Sequence, residues 1–197
     1  MVRVGLTAAR LVASGVELAD EIGFAEVTLS ALARRHGVKV ASLYSHVANS
    51  HDLKSRLCLL ALDEMADRGA AALAGRAGKD ALVALAGVYR TYAHEHPGRY
   101  AAAEYPLDAA TAATSAGPRH AEMARAVLRG YDLAEPDRTH AVRLLGSVIR
   151  GFVNLEIAGG FGHSEPDADQ SWAWSLDALD ALLRRPAVPT SPEGSTP

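Results

Sequence analysis

Apolar residues recur at intervals of three and four along nearly the whole chain, and no stretch shows the strict alternation of a half-buried strand. The first series follows Thr7, a residue type that caps helix N-termini, and it stops before Gly23, a residue type that ends helices. Its apolar members are Leu11, Val12, Val16, Ala19 and Ile22. The pattern predicts a first helix here and an all-α fold for the chain.

Two shorter helices are predicted next. Thr28 opens the second helix and Gly37 ends it, and its apolar face consists of Leu29, Leu32 and Ala33. A third helix of about eight residues is predicted to begin near Lys39 or Val40. A fourth begins at Asn49 or Ser50 and is long enough to join two units.

The rest of the chain predicts about six helices and a separate packing unit. Helical periodicity covers 80–96 and 121–128, follows Pro136, and returns over roughly 169–185, while the stretch around Pro106 and Gly117 is loop-like. We therefore predict a three-helix N-terminal domain, a larger helical domain for ligand binding and dimerisation, and a disordered tail. The predicted bounds are 1–49, 50–185 and 186–197.

Composition limits the function. The chain has 197 residues, of which 49% are hydrophobic, so it can bury a core. Cys58 is the single cysteine and lies in an apolar run, which excludes an internal disulfide and favours an inert thiol. The sequence shows no convincing signal peptide and no run that is long enough to span a bilayer, so we expect a cytoplasmic protein without a membrane partner.

Charge is distributed unevenly along the chain. The total is -3, but residues 1–56 carry seven basic and five acidic side chains, a balance of +2, which leaves -5 for the remainder. This asymmetry is modest, and it indicates that the N-terminal end is the one that can approach phosphates.

The third predicted helix has two distinct faces. At about 100° per residue, its apolar residues Val40, Leu43 and Val47 share one sector. Ala41, Ser42 and Ser45 then point away, with Tyr44 and His46 on the flanks. Eight helical residues span about 12 Å, which matches the width of a DNA major groove. A helix, a glycine turn and a short helix form the helix-turn-helix arrangement that binds DNA.

This segment resembles the N-terminal signature of the tetracycline-repressor (TetR) family. The matching residues are Thr28, Leu32, Ala33, Gly37, Val38, Leu43, Tyr44, His46, Val47 and Leu53. The resemblance implies that Thr28, Tyr44 and His46 touch phosphates. It also implies that four residues, namely Lys39, Val40, Ala41 and Ser42, approach base edges. The run RGFVNLEIAGGF at 150–161 and the helix around SWAWSLDAL resemble one ligand-domain subgroup of the same family.

Two departures from the family pattern change the expected DNA contacts. Ser50 stands where the family usually has a lysine, so Lys54 or the helix N-terminus is expected to replace that phosphate contact. Lys39 stands where a Ser or Thr usually caps the helix, and it is expected to reach a phosphate or a guanine. The outer face lacks Arg, Asn and Gln, so we expect Val40 and Ala41 to meet thymine methyl groups. Backbone positioning and DNA shape then carry much of the specificity.

The expected partners are double-stranded DNA with a palindromic operator, a small-molecule effector and a second copy of the chain. A two-fold dimer presents two recognition helices to one face of DNA. The predicted interface residues lie in the last two helices and are Gly151, Leu155, Trp172, Leu176, Leu179 and Leu183. The pocket candidates are Tyr89, Tyr92, Tyr100 and Glu104. The mechanism expected is repression, with ligand binding changing the spacing of the two recognition helices.

Other interpretations remain open from the sequence. Tyr44 and His46 have an alternative role in packing, and the histidines of HEHPG at 94–98 have metal-binding spacing but no third ligand nearby. No sequence pattern of a hydrolase, zinc protease or di-iron site occurs, so no catalytic residue, metal or cofactor is predicted. The rival is a helical enzyme or small-molecule carrier that does not bind DNA. A third interpretation is a module that only dimerises.

Overall fold

The computed structural model describes residues 6–184, and this part of the chain forms nine α-helices and two 3-10 helices without a strand. The α-helices are α1 (Ala8–Ile22), α2 (Leu29–His36), α3 (Ser50–Leu73), α4 (Gly78–Glu95), α5 (Pro97–Ala103), α6 (Ala109–Thr114), α7 (Gly117–Leu128), α8 (Asp137–Ile157) and α9 (Ala168–Leu183). The 3-10 helices are η1 (Phe24–Glu26) and η2 (Val40–Ser45). The all-α prediction is confirmed. The predicted disordered tail, 186–197, lies outside the described residues.

The N-terminal helices start and stop at the predicted capping residues. The Oγ1 atoms of Thr7 and Thr28 accept hydrogen bonds from backbone N–H groups three residues further on, at 3.2 and 3.1 Å. The side-chain oxygen of Asn49 caps α3 in the same way, 2.9 Å from the backbone nitrogen of Asp52. Gly37 ends α2 with a φ of 63°, a left-handed conformation that glycine adopts without a steric cost. The chain therefore turns sharply between α2 and η2.

The third predicted helix is present, but it is a 3-10 helix rather than an α-helix. η2 has six residues instead of the expected eight or so. The backbone N–H of Ser42 donates to Lys39 at 2.9 Å, and that of His46 donates to Leu43 at 2.8 Å, so the bonds span three residues. The Lys39 side chain makes no capping bond that would fix the first turn in the wider α geometry. At about 2.0 Å per residue, six residues still span roughly 12 Å.

The predicted loop around Pro106 and Gly117 contains the short helix α6 and the start of α7. The Asp108 carboxylate caps α6 by accepting hydrogen bonds from the backbone N–H groups of Ala110 and Thr111, both at 3.0 Å. α6 contains only alanine and threonine, so it has no amphipathic periodicity to detect. Asp108 was the one local signal for this helix.

Two apolar clusters form the interior of residues 6–184. The N-terminal cluster includes Leu11, Val16, Leu32, Leu43, Val47, Leu53 and Leu57. The C-terminal cluster is built from α3, α4, α5, α7, α8 and α9. α3 contributes to both, because Leu57 belongs to the first cluster and Cys58 to the second. The first two turns of α3 thus pack with the N-terminal helices. The domain boundary predicted between residues 49 and 50 stays a prediction.

α5 connects the two clusters by packing its N-terminus against the end of α1. Gly98 approaches α1 so closely that a Cβ there would lie 1.9 Å from the carbonyl oxygen of Ala19. Arg99 donates its backbone N–H to Asp20 at 2.9 Å, and its guanidinium lies 2.9 Å from Asp20 and 3.1 Å from Glu64 of α3. Close packing and a partly buried ion network therefore fix α5 against both α1 and α3.

Cys58 has the environment of an inert thiol. It is 1% exposed, and burial raises the pKa of its thiol to about 11. The thiol therefore stays protonated at neutral pH, and the sequence-based interpretation of Cys58 as a buried, unreactive cysteine agrees with its position.

Candidate DNA interface and ligand cavity

The outward face of η2 is not covered by the rest of the described chain. Its exposed residues are Ala41, Ser42, Tyr44 and Ser45. Tyr44 offers the largest free side chain, with an exposed fraction of 55%. On the opposite side, Leu43 is 0% and Val47 is 2% exposed, so both are held in the N-terminal cluster. η2 thus packs against the N-terminal cluster on one side and is exposed to solvent on the other, and its length fits the width of the major groove.

The other residues predicted to contact DNA differ in how free their side chains are. Lys39 and Thr28 are exposed. Oγ1 of Thr28 accepts the capping bond of α2, which leaves its O–H available to donate to a phosphate. Val40 and His46 are half-buried, and Val40 packs against the N-terminal cluster. Val40 therefore offers less surface to a thymine methyl group than the exposed Ala41 does.

Lys54 interacts with the protein itself. Its Nζ lies 3.4 Å from the carbonyl oxygen of Ala25 and 5.1 Å from the ring centroid of Phe24. Both partners belong to η1, so the ammonium group is directed toward η1. The prediction that Lys54 replaces a missing phosphate contact requires it to leave these contacts.

The positive charge at the end of α2 is partly neutralised. Arg35 donates to the Glu21 carboxylate at 2.6 Å and lies 3.3 Å from Glu17. The hydrogen bond from Arg35 lowers the pKa of the Glu21 carboxyl. Arg34 and Lys39 are exposed, so they present positive charge to solvent next to η2 in sequence.

A cavity of about 140 Å³ lies between α4, α7 and α8. Its wall is mainly apolar and includes Leu82, Leu85, Val127, Val142, Leu145 and Ile149. Tyr89, His120 and Arg150 are the polar side chains among its lining residues. An apolar cavity of about 150 Å³ is large enough to hold benzene. The space therefore suits a ligand with one ring or a short hydrocarbon body.

A chain of hydrogen bonds fixes the protonation of two polar groups in the cavity. Nε2 of His120 lies 2.9 Å from the carbonyl oxygen of Leu62, and its Nδ1 is hydrogen-bonded to the hydroxyl of Tyr89. Because the carbonyl oxygen only accepts, Nε2 carries the proton and Nδ1 accepts from Tyr89. Burial lowers the pKa of His120 and raises the pKa of Tyr89 to about 12. Both side chains are thus uncharged at neutral pH.

The structure brings one of the four predicted pocket residues, Tyr89, into the cavity wall. Tyr92 is a core residue, fully buried, whose hydroxyl donates to a glutamate of α3 at 2.7 Å. Tyr100 is buried and its hydroxyl has no hydrogen-bond partner. Glu104 is outside the wall, but its carboxylate lies 3.4 Å from the guanidinium of Arg150, which is in the wall.

His120 and Arg150 were not predicted from the sequence as cavity residues. His120 follows Pro118 in a segment without clear periodicity, and Arg150 lies in an amphipathic helix where a single arginine usually faces solvent. The one signal was the position of Arg150 at the start of RGFVNLEIAGGF, the run that resembles a ligand domain.

α8 and α9 carry an exposed apolar surface, but four of the six residues predicted for a dimer interface lie on the buried side of α9. Trp172, Leu176, Leu179 and Leu183 are only 8%, 3%, 4% and 5% exposed, because they pack into the C-terminal cluster of their own chain. The exposed large apolar residues are Leu155 at 55% and Ile157 at 42% on α8 and Trp174 at 73% and Leu182 at 45% on α9, and Gly151 is exposed as well. Gly151 and Leu155 of the predicted set are thus exposed, the other four pack within their own chain, and the dimer interface itself stays a prediction.

The two histidines of HEHPG do not converge on one site. Nε2 of His94 lies 3.2 Å from Glu156, whereas Nδ1 of His96 lies 3.1 Å from Asp20. Within residues 6–184, no three potential metal ligands form a group that could hold an ion. Nor does any helix in that range have the length and apolar character needed to cross a membrane.

Comparisons with known proteins agree with this geometry. Residues 82–179 match the family model of the tetracyclin repressor-like C-terminal domain. The chain is 35% identical over 160 residues to an uncharacterized HTH-type transcriptional regulator of Mycobacterium tuberculosis, covering 80% of this chain and 73% of the relative. It is 29% identical over 182 residues to the HTH-type regulator YobS of Bacillus subtilis, covering 92% and 95%.

A solved structure shows the same fold. A TetR variant from Acinetobacter baumannii in complex with minocycline superposes with a TM-score of 0.65 at 24% identity, covering 90% of this chain and 96% of that one. Members of this family bind DNA and small-molecule effectors and form dimers. The chain is therefore a DNA-binding transcriptional regulator that belongs to the TetR family.

Proposed function

We infer that the protein is a dimeric repressor that binds a palindromic operator through η2 and leaves it when a small molecule occupies the cavity between α4, α7 and α8. The observation that carries the DNA-binding part is the uncovered outer face of η2, with Tyr44 55% exposed and Leu43 fully buried behind it. The cavity of about 140 Å³ supports the effector part. We expect the protein to act in the cytoplasm and to have no catalytic activity.

The DNA contacts divide into two groups. Thr28, Tyr44 and His46 hydrogen-bond to phosphates and so position η2, whereas Ala41 and Ser42 meet base edges. Lys39 reaches a phosphate or a guanine from the start of η2. Val40 and Lys54 have secondary roles, because both make contacts within the protein.

Selection of bound fragments from random DNA tests this function most broadly. The proposal predicts enrichment of a palindrome whose half-sites lie about one helical turn apart, roughly 34–36 Å, or somewhat more. A helical enzyme or carrier that does not bind DNA would enrich no sequence. The same fragments then serve as the operator in all binding measurements.

Salt dependence tests the assignment of Lys39. If Lys39 binds a phosphate, Lys39→Gln should reduce the slope of log K against log salt by about 0.9 per contact in each protomer. If it binds a guanine instead, the variant should lose preference at one base pair. Arg125→Gln is a suitable control, because Arg125 is exposed on α7, away from the proposed DNA and dimer surfaces. An unchanged slope together with unchanged base preference would reject a DNA contact for Lys39.

The dimer is proposed to form through the outer faces of α8 and α9. Leu155 and Trp174 supply exposed apolar area. Apart from its chain neighbours and the backbone of its own helix, a Cβ at Gly151 would meet nothing within 4 Å, so a partner helix has room to approach. Trp174→Asp should yield monomers in sedimentation velocity and greatly weaken operator binding. Val83→Asp, which changes an exposed apolar residue on α4, is the control. A Trp174→Asp dimer of wild-type affinity would contradict this interface.

A further inference from the structure

The one charge in the cavity wall indicates what kind of ligand the cavity accepts. Among the residues that line it, Arg150 is the one side chain that is charged at neutral pH, since the lining contains no Asp, Glu or Lys. Tyr89 and His120 satisfy each other and the carbonyl of Leu62, so neither has a strong need for a ligand group. An apolar space with one arginine recognises an apolar body that carries an anionic group.

Arg150 already has a partner that a ligand can displace. Its guanidinium lies 3.4 Å from the Glu104 carboxylate, and the two side chains are 47% and 41% exposed. Ion pairs with this exposure are weak because water screens them. The hydroxyl of Tyr100 is buried and has no hydrogen-bond partner. Burial and, after it, the Glu104 charge raise the pKa of Tyr100 to about 12, whereas the Arg150 charge lowers it, so both members of the pair act on this hydroxyl. A carboxylate of the ligand can therefore replace Glu104 at little cost.

Glu104 and its neighbour connect the cavity to the DNA-binding unit. Glu104 is the C-terminal cap of α5. The hydroxyl of Tyr105 lies 2.9 Å from Nδ1 of His51, in the first turn of α3. The Tyr105 ring also lies edge-on to Phe24 of η1, with the centroids 5.7 Å apart. Glu104 thus contacts the cavity arginine, while the adjacent Tyr105 contacts η1 and the first turn of α3, of which α3 directly follows η2 in sequence.

Building on the proposed function, we propose that the effector is a small apolar molecule with an anionic group, that its anion displaces Glu104 from Arg150, and that Glu104 and Tyr105 transmit this exchange to His51 and Phe24. The ligand stabilises the conformation in which Glu104 is released, and the DNA-bound conformation is the one in which the pair is intact. Because the pair is exposed, this route accounts for at most about a fivefold loss of operator affinity per protomer.

Calorimetry on the purified full chain tests the ligand class without DNA. Benzoate and benzamide are the probes, because they have nearly the same shape and differ in charge. The wild-type protein should bind benzoate at least tenfold more tightly than benzamide. Arg150→Gln should remove this preference, while Arg125→Gln, an exposed change on α7 outside the cavity wall, keeps it. Equal affinity for both probes, no binding of either, or an unchanged preference in Arg150→Gln would overturn the proposal.

Operator binding with and without saturating benzoate tests the transmission. The wild-type protein should lose several-fold in operator affinity, and Glu104→Gln and Tyr105→Phe should lose less. Both variants should still bind benzoate, and Glu104→Gln should bind it more tightly because the competing carboxylate is gone. Glu122→Gln, an exposed change on α7, should behave as wild type.

The calorimetry and the operator-binding measurements test the ligand class and the transmission route separately. If benzoate releases Glu104→Gln and Tyr105→Phe from the operator as strongly as it releases the wild-type protein, the transmission route is overturned and the ligand class stands. If random DNA yields no operator, the proposed function and the transmission step both fail, while calorimetry still decides whether the cavity selects an anion.

Discussion

The outer face of η2 comes from one short segment of the chain, whereas the wall of the cavity comes from three helices, α4, α7 and α8. η2 consists of six consecutive residues, held from behind by Leu43 and Val47. The cavity wall draws on positions from Leu82 to Arg150 in three helices. The η2 face therefore depends on local spacing and on a few buried anchors, whereas the cavity depends on how distant segments pack. Substitutions should separate the two regions by their effects on stability and on binding.

The largest effect is expected for the anchor behind η2. Leu43 is 0% exposed, so Leu43→Ala should lower the free energy of unfolding by about 2–5 kcal/mol. Chemical denaturation measures this, and operator binding should be lost together with stability. The adjacent Tyr44→Ala should change stability by less than about 0.5 kcal/mol, because the ring is 55% exposed, and still weaken binding. Similar destabilisation by both changes would show that Tyr44 is a packing residue.

The next largest effect is expected where α5 meets α1. Gly98→Ala should destabilise the protein by about 1–3 kcal/mol, because the new methyl group collides with backbone atoms that cannot rotate away. Gly87→Ala on α4 is the matched control, since a Cβ there meets nothing within 4 Å and alanine favours a helix by about 0.5–1 kcal/mol. Thermal unfolding of the two variants should shift in opposite directions. Equal shifts would contradict the close approach of α5 to α1.

An effect of about the same size is expected for the hydrogen-bond chain in the cavity. Tyr89→Phe removes the donor to Nδ1 of His120 and should cost about 1–3 kcal/mol, because that nitrogen is then buried without a partner. Tyr44→Phe makes the same chemical change on the exposed η2 face and should leave the free energy of unfolding unaltered. Urea titrations of both variants provide the comparison. No loss in Tyr89→Phe would mean that the bond contributes nothing to stability.

The smallest effect is expected from pH. Burial lowers the pKa of His120 in the folded protein below its ordinary value of 6.5. As the pH falls below about 6.5, the unfolded chain binds the proton first, so stability decreases until the pH passes the folded pKa. Wild type should therefore lose more stability than His120→Gln between pH 7.5 and pH 5 in thermal unfolding. Parallel pH profiles would show that His120 is not held neutral by the fold.

The sequence predicted the η2 region well because its signals are local. Thr28 and Gly37 set the ends of α2, and the spacing of Leu43 and Val47 identified the buried side of η2. The choice of a 3-10 over an α geometry was not predictable, since it depends on which carbonyl each N–H reaches within a single turn. The uncovered outer face follows directly from the short length of the element.

The cavity and the exposed face of α9 were predicted less well, because helical periodicity identifies the apolar side of a helix but not the surface against which that side packs. Leu176 and Leu179 form the expected stripe, but it packs inside the chain, while Trp174 lies outward. His120 and Arg150 reach the cavity only through the way α7 and α8 pack against α4. Such placement depends on contacts between residues far apart in sequence, which a single sequence does not contain.

The central claim is that the outer face of η2 enters a DNA groove, and Ala41→Glu tests it most directly. Ala41 is exposed, so the substitution should leave thermal stability unchanged. The new carboxylate would lie against bases and phosphates, and gel retardation with the selected operator should show at least a hundredfold loss of affinity. Ala71→Glu, an exposed change near the far end of α3, should bind as wild type. Wild-type operator affinity in a folded Ala41→Glu protein would contradict the claim.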